Sequence, residues 1–110
     1  MKKVLIIEDE EAILAVLKAV VIRAKMQVTA CETLASGQSY FDHSYDLLIV
    51  DISLPDGSGL EFVKSVREGG YEGRIILMTG HTDIDTTELA IDHLLFKPFS
   101  MQTLLKLLDQ

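Results

Sequence analysis

At 110 residues, 48% of them hydrophobic, the chain has the size of one domain and enough apolar surface for a packed core, so residues 1–110 are read as a single unit. Its 17 acidic residues against 10 basic ones give a formal charge of -7, which argues against direct contact with nucleic acid or an anionic membrane, since both need clustered Lys and Arg. The one cysteine, Cys31, cannot close an internal disulfide, MKKVLIIEDE turns acidic too soon for a signal peptide, and no apolar run approaches the roughly 20 residues that span a bilayer, so a cytoplasmic protein is expected.

In chain order, residues 3–7 (KVLII) form a short apolar, partly β-branched run that ends in four acids. A helical pattern over Ala12 to Lys25 follows, with Ile13, Val16, Leu17 and Val20 on one face. Met26 to Cys31 is a weaker strand, and Leu34 to Phe41 a second helix. Residues 47–50 (LLIV) run into Asp51, and Pro55-Asp56-Gly57 turns the chain toward a third helix over Gly59 to Glu68, with Leu60, Val63 and Val66 on its inner face. Ile52, Leu54, Leu60 and Val63 are assigned to packing. Residues 74–78 (RIILM) stop at Thr79-Gly80, and 93–96 (HLLF) stop at Lys97-Pro98. A last helix runs from a Ser100 cap through Leu104, Leu105 and Leu108. There is no internal repeat, low-complexity tract or linker.

Strands buried on both faces that alternate with helices predict an α/β fold: a doubly wound parallel sheet of five strands with helices on both faces. In such a sheet functional groups gather beyond the carboxyl ends of the strands. That rule brings Glu8 and Asp9, Asp51, Thr79 and Lys97 to one edge. Converging carboxylates repel unless something cationic lies between them, and Lys97 with a divalent metal would serve. Oxygen-only ligands with few protein contributors suit Mg²⁺ better than Ca²⁺. Residues 51–62 are not an EF-hand, because Asp56 stands where its glycine belongs and Phe62 where its bidentate glutamate belongs. The histidines at 43, 81 and 93 lack zinc spacing, and no strand leads into a glycine-rich nucleotide loop.

Taken together, Glu8-Asp9, Asp51 with its DISLPDGSG context, Thr79-Gly80 and the KPF of Lys97, Pro98 and Phe99 resemble the receiver domain of two-component response regulators, over essentially the whole chain. The resemblance implies the flavodoxin-like strand order 2-1-3-4-5. It implies Asp51 as phosphoacceptor, with Mg²⁺ held by the side chains of Asp9 and Asp51, by Glu8 through a water and by the Ser53 backbone carbonyl. Thr79 and Lys97 would hold the phosphoryl oxygens, and a cis peptide before Pro98 would aim Lys97 into the cleft. The implied partner is a histidine kinase or histidine phosphotransfer domain, and any self-association is expected to be weak or dependent on phosphorylation. The domain would not be an enzyme in the ordinary sense, because its catalysis acts on its own aspartate. The chemistry agrees: phosphoryl transfer to a weak carboxylate nucleophile needs positioning and charge neutralisation, which a metal, a lysine and a hydroxyl supply.

Three departures and one feature of the first helix bear on this reading. Glu8 replaces the family's usual aspartate. Leu94 stands three residues before Lys97, where an aromatic switch residue is usual. The stretch GHTDIDTTELAIDHLLF leaves room for a fourth crossover helix of at most two turns, starting weakly at Thr86-Thr87-Glu88 and expected to be mobile or partly unravelled. Leu14 and Val21 form a second stripe on the first helix, flanked by Lys18 and Lys25, which either packs under the last helix or docks the phosphohistidine donor. Leu94 and the short helix keep open a second function, a pseudo-receiver that acts as a phosphorylation-independent interaction module. A phosphatase of the aspartate-nucleophile class would need a second aspartate where Ser53 stands.

Overall fold

The computed structural model describes residues 1–81, 84–85 and 87–109. Five strands, β1 (Lys3–Ile7), β2 (Gln27–Cys31), β3 (Leu47–Asp51), β4 (Arg74–Thr79) and β5 (His93–Phe96), form one parallel sheet in the order β2-β1-β3-β4-β5. Four helices accompany it: α1 (Glu11–Arg23), α2 (Leu34–Tyr40), α3 (Gly59–Glu68) and α4 (Met101–Leu108). Thr33, Ser58 and Ser100 each cap a helix by accepting an amide hydrogen bond from its first turn, which fixes where α2, α3 and α4 begin. Between β3 and α3 the chain makes a small antiparallel ribbon, Ser53–Leu54 against Gly57–Ser58.

Strand alternation divides the core in two. Leu5, Ile7, Leu48, Val50, Ile75 and Leu77 face α2 and α3, where Phe62, Val63, Val66 and Tyr71 cover them. Val4, Ile6, Leu47, Ile49, Ile76 and Met78 face α1 and α4. Because both faces are covered, the strands read as unbroken apolar runs rather than as an alternation of apolar and polar residues.

The face expected of α1 is corrected. Its buried residues are Leu14, Leu17, Val20 and Val21, whereas Val16 is exposed and Ile13 only half-buried. Leu14 and Val21 belong to the core beneath Leu104 and Leu108 of α4, so they are not free to dock a donor. The sequence EAILAVLKAVVIR is apolar nearly all round, so its periodicity alone does not choose which stripe meets the sheet. Of the apolar residues that mark α4, Leu104 and Leu108 are buried and Leu105 is exposed. Of the residues assigned to packing, Ile52 and Val63 are buried, and Leu54 and Leu60 pack half-buried against the α2/α3 core.

No helix forms among the described residues between β4 and β5; the chain makes a turn at Thr87–Glu88, while Thr86, the expected helix start, lies outside the described residues. Apolar side chains still hold this segment, since Ile84, Leu89 and Ile91 pack against the α2/α3 core. Arg67 at the end of α3 anchors its exit: Nε donates to Ala90 O at 2.6 Å, Nη1 to Tyr71 O at 2.9 Å and Gly73 O at 2.8 Å, and Nη2 meets Asp92 Oδ2 at 3.3 Å. Asp92 Oδ2 also accepts the Ile75 amide at 2.8 Å, which ties the start of β5 to β4.

Gly59 opens α3 against the end of β3. Its amide donates to Ile52 O at 2.8 Å, and a Cβ here would be driven into the Asp51 carbonyl. Gly59→Ala should therefore lower stability by about 2 kcal/mol, because backbone has to shift. Gly37→Ala should cost less, since its Cβ meets the tip of the Ile7 side chain rather than backbone. Urea midpoints at unchanged m-value check the order of the two.

Candidate functional site

The register of the sheet builds the site. Ile7 pairs with Val50, so one step further Glu8 stands level with Asp51, and Asp51 in turn pairs with Met78. Glu8 continues the Val4–Ile6 side of β1, Asp51 continues the Leu47–Ile49 side of β3, and Lys97 lies two beyond inward-facing Leu95 on the same side of the sheet. Three charged side chains thus project toward the α1/α4 face beyond the strand ends. The Lys97–Pro98 peptide bond is cis, as the family resemblance implies.

Lys97 Nζ lies 2.6 Å from Glu8 Oε1 and 2.8 Å from Asp51 Oδ2, with Glu10 Oε1 further out at 3.9 Å. Only the Asp51 contact has the direction of a hydrogen bond; Glu8 Oε1, wholly buried, has none. Glu8 Oε2 accepts the Glu10 amide at 3.2 Å. Asp9 is exposed, and carboxylate oxygens of Glu8, Asp9 and Asp51 all lie within 4.8 Å of one another. When all three are ionised they outnumber the single ammonium by two charges. That excess, the all-oxygen donor set and the undirected Glu8 oxygen fit a hard divalent cation such as Mg²⁺. Burial pushes the Glu8 carboxyl up from its ordinary 4.5 to about 7, against the opposing pull of Lys97. Burial also pulls Lys97 down, but its contacts with Asp51 and Glu8 outweigh this and leave it above the ordinary 10.5.

Of the remaining expected residues, Ser53 touches this cluster, whereas the Thr79 hydroxyl is bonded outside it. Ser53 donates its amide to Asp51 Oδ1 at 3.2 Å. Thr79 is buried at the end of β4, but it continues the Ile75–Leu77 side, opposite to Asp51. Its hydroxyl accepts the His81 amide at 3.0 Å and lies 3.5 Å from the His81 carbonyl. Sequence reasoning missed Asp56, whose Oδ1 and Oδ2 accept the amides of Leu34 at 2.8 Å and Ala35 at 2.9 Å. No local pattern marks that contact, because its partners lie 22 and 21 residues away. Glu10 was read only as part of an acidic run; its place beside Lys97 follows from its position at the start of α1.

The response regulator receiver domain family matches residues 4–109. The chain belongs to that family. It is 34% identical over 105 residues to the KDP operon transcriptional regulatory protein KdpE of Escherichia coli, an alignment covering 92% of this chain and 47% of that protein. It is 34% identical over 108 residues to the autoinducer 2 sensor kinase/phosphatase LuxQ of Vibrio parahaemolyticus, covering 93% of this chain and 13% of that one. The receiver thus spans about half the length of the first and a small part of the second. The non-phosphorylated HemR receiver domain from Leptospira biflexa superposes with a TM-score of 0.92 at 22% identity, covering 99% of this chain and 92% of that one, a likeness of fold.

Beside the receiver's charged cluster lies an apolar groove of about 250 Å³, lined by Ala12, Ile13, Val16, Lys97, Pro98 and Phe99. It joins α1 to the loop after β5, and Lys97 belongs to both groove and cluster. Among the described residues no helix is long and apolar enough to cross a membrane.

Glu8 gives the receiver a pH signature. Its carboxyl holds a proton more tightly in the folded chain, at about 7, than at the ordinary 4.5 of an unfolded one. The native state therefore binds more protons between these values, and stability falls as pH rises through that window. The contribution is fully present below about 4.5 and gone above about 7, and it amounts to about 3 kcal/mol at most. Metal-free urea unfolding at about pH 5 and about pH 8 should show the loss, and Glu8→Gln should flatten it. An unchanged slope in the variant would assign the effect elsewhere.

Proposed function

We propose that this receiver accepts a phosphoryl group from a phosphohistidine donor onto Asp51, in the presence of Mg²⁺, and changes conformation to control an output. The observation that carries the reading is Lys97 Nζ, placed 2.6 Å from buried Glu8 and 2.8 Å from Asp51 beside a third acid, Asp9. Asp9 and Asp51 would hold the metal through their side chains, Glu8 through a water and Ser53 through its backbone carbonyl. When bound, Mg²⁺ supplies charge neutralisation for the phosphoryl oxygens and the acids around them.

In the reaction an Asp51 carboxylate oxygen forms the new O–P bond as the donor's N–P bond breaks, and the imidazole, protonated on its other ring nitrogen, leaves as the neutral ring carrying the electron pair of that bond. Lys97 now neutralises Asp51; once one Asp51 oxygen is esterified, its ammonium is free to hold a phosphoryl oxygen. Thr79 can reach the new charge only by giving up its bond from the His81 amide, so the chain after β4 moves with it. The donor, a histidine kinase or a histidine phosphotransfer domain, would dock over the apolar groove of Ala12, Ile13, Val16, Pro98 and Phe99, a reading supported by the groove's opening onto Lys97. The domain catalyses only its own phosphorylation and dephosphorylation, consistent with a cytoplasmic signalling role that leaves nucleic acid and membrane to others.

Incubation with acetyl phosphate and Mg²⁺ followed by intact mass tests this. A gain of one phosphate in the wild type, absent from Asp51→Asn, is expected. No gain in the wild type would favour the phosphorylation-independent interaction module.

A further inference from the structure

The ribbon after β3 is fixed at both ends, and its outer end is held by a side chain with no part in the charged cluster. At the inner end, the Ile52 amide donates to Met78 O at 3.0 Å and the Gly59 amide to Ile52 O at 2.8 Å. Ser53, next along the chain, pairs with Ser58, and Leu54 with Gly57, so the two arms move together. At the outer end stands Asp56, whose two carboxylate oxygens take the amides of Leu34 and Ala35. Gly57, at φ +148°, lies so close to Leu34 that an added Cβ would meet its Cδ1 at 3.0 Å. The tip of the ribbon therefore rests against the first turn of α2.

These bonds do more for the ribbon than for the helix. Helix α2 already has a cap, since Thr33 Oγ1 accepts the Ser36 amide at 3.1 Å. The amides of Leu34 and Ala35 open next to exposed Asp56, so water could satisfy them if the carboxylate were removed. The ribbon has no such substitute. With its tip released, it would keep the inner bonds and the contact with Leu34, and the position of Ser53 would be less well defined.

We propose that Asp56 is a positioning residue for the metal site: by chelating the first turn of α2 it fixes the ribbon, and through the ribbon it places the Ser53 carbonyl beside Asp51. This rests on the reading of Ser53 as a metal ligand given above. Supporting groups that orient metal ligands commonly change affinity when removed, so Asp56→Ala should weaken Mg²⁺ binding about tenfold. Asp56→Asn keeps one acceptor for the two amides and should fall between, at about threefold.

Amide NMR titration of the wild type and both variants with Mg²⁺ alone measures this directly. Hydrogen exchange of Leu34 and Ala35 in the metal-free state gives a second readout, expected to quicken in Asp56→Ala. Phosphorylation by acetyl phosphate should be slow in the variant at limiting Mg²⁺ and recover at saturating Mg²⁺. Wild-type Mg²⁺ affinity in Asp56→Ala would overturn the proposal and leave the phosphoacceptor reading standing. A rate deficit that persists at saturating Mg²⁺ would overturn it too, because the defect would then lie outside metal positioning. A wild type that binds no Mg²⁺ would overturn both.

Discussion

A single ammonium between carboxylates of two other strand ends is the constraint on which the site depends. Glu8 is wholly buried and Asp51 nearly so, and neither charge would be tolerable there alone. Lys97 comes from the far side of the sheet, beyond β5, and its long stem crosses the intervening edge of β4 to reach both acids. The cluster therefore exists only when β1, β3, β4 and β5 are in register. A slip of one residue in β3 would turn Asp51 to the opposite face, away from Lys97. Charge pairing is not a large source of stability here, because desolvation offsets much of it. Its consequence is specificity, since it selects the register in which the acids and the lysine meet.

Much of this was legible in the sequence, for a definite reason. Apolar runs that stop at an acid, a threonine or a lysine mark strand ends, and the parallel α/β arrangement gathers those ends at one edge. Glu8, Asp9, Asp51, Thr79 and Lys97 are therefore predicted as a group, and of these Thr79 is the one whose strand position faces the other side. What the pattern could not give was facing. Helix α1 is apolar on nearly every side, so Leu14 and Val21 were as eligible for solvent as Val16, and only the seat of α4 decides between them. Contacts between residues far apart in the chain were also hidden. Asp56 reads as a turn former and nothing in the pattern singles out Arg67, yet each fixes a segment more than twenty residues away.

Arg67 explains how the chain manages with so little between β4 and β5. A full crossover helix would bury its own face against the sheet; here Ile84, Leu89 and Ile91 supply the apolar contacts, and a guanidinium secures the exit by bonding to main-chain carbonyls and to Asp92. Planar, multi-donor Arg suits this task, because it can satisfy several acceptors in fixed directions where Lys offers a point charge. The segment is thus pinned at Thr79–His81 by a hydroxyl and at Ala90–Asp92 by Arg67. Movement of the hydroxyl end need not disturb the other.

The two faces of the sheet carry different parts of the proposed switch. Glu8, Asp51 and Lys97 project on the α1/α4 side, whereas Thr79 and Leu94 continue strand positions on the α2/α3 side. A phosphoryl group on Asp51 would sit where the first face ends, so the response must pass around the strand ends to the second. Thr79 is the residue positioned to make that passage, at the cost of its bond from the His81 amide. Leu94, half-buried against the α2/α3 core, pairs with Leu77 of β4 and can respond by a change of rotamer without opening a cavity the size of a ring. On the proposed reading, a leucine there would make the transition smaller than an aromatic would, leaving more of the response to main-chain movement at the end of β4.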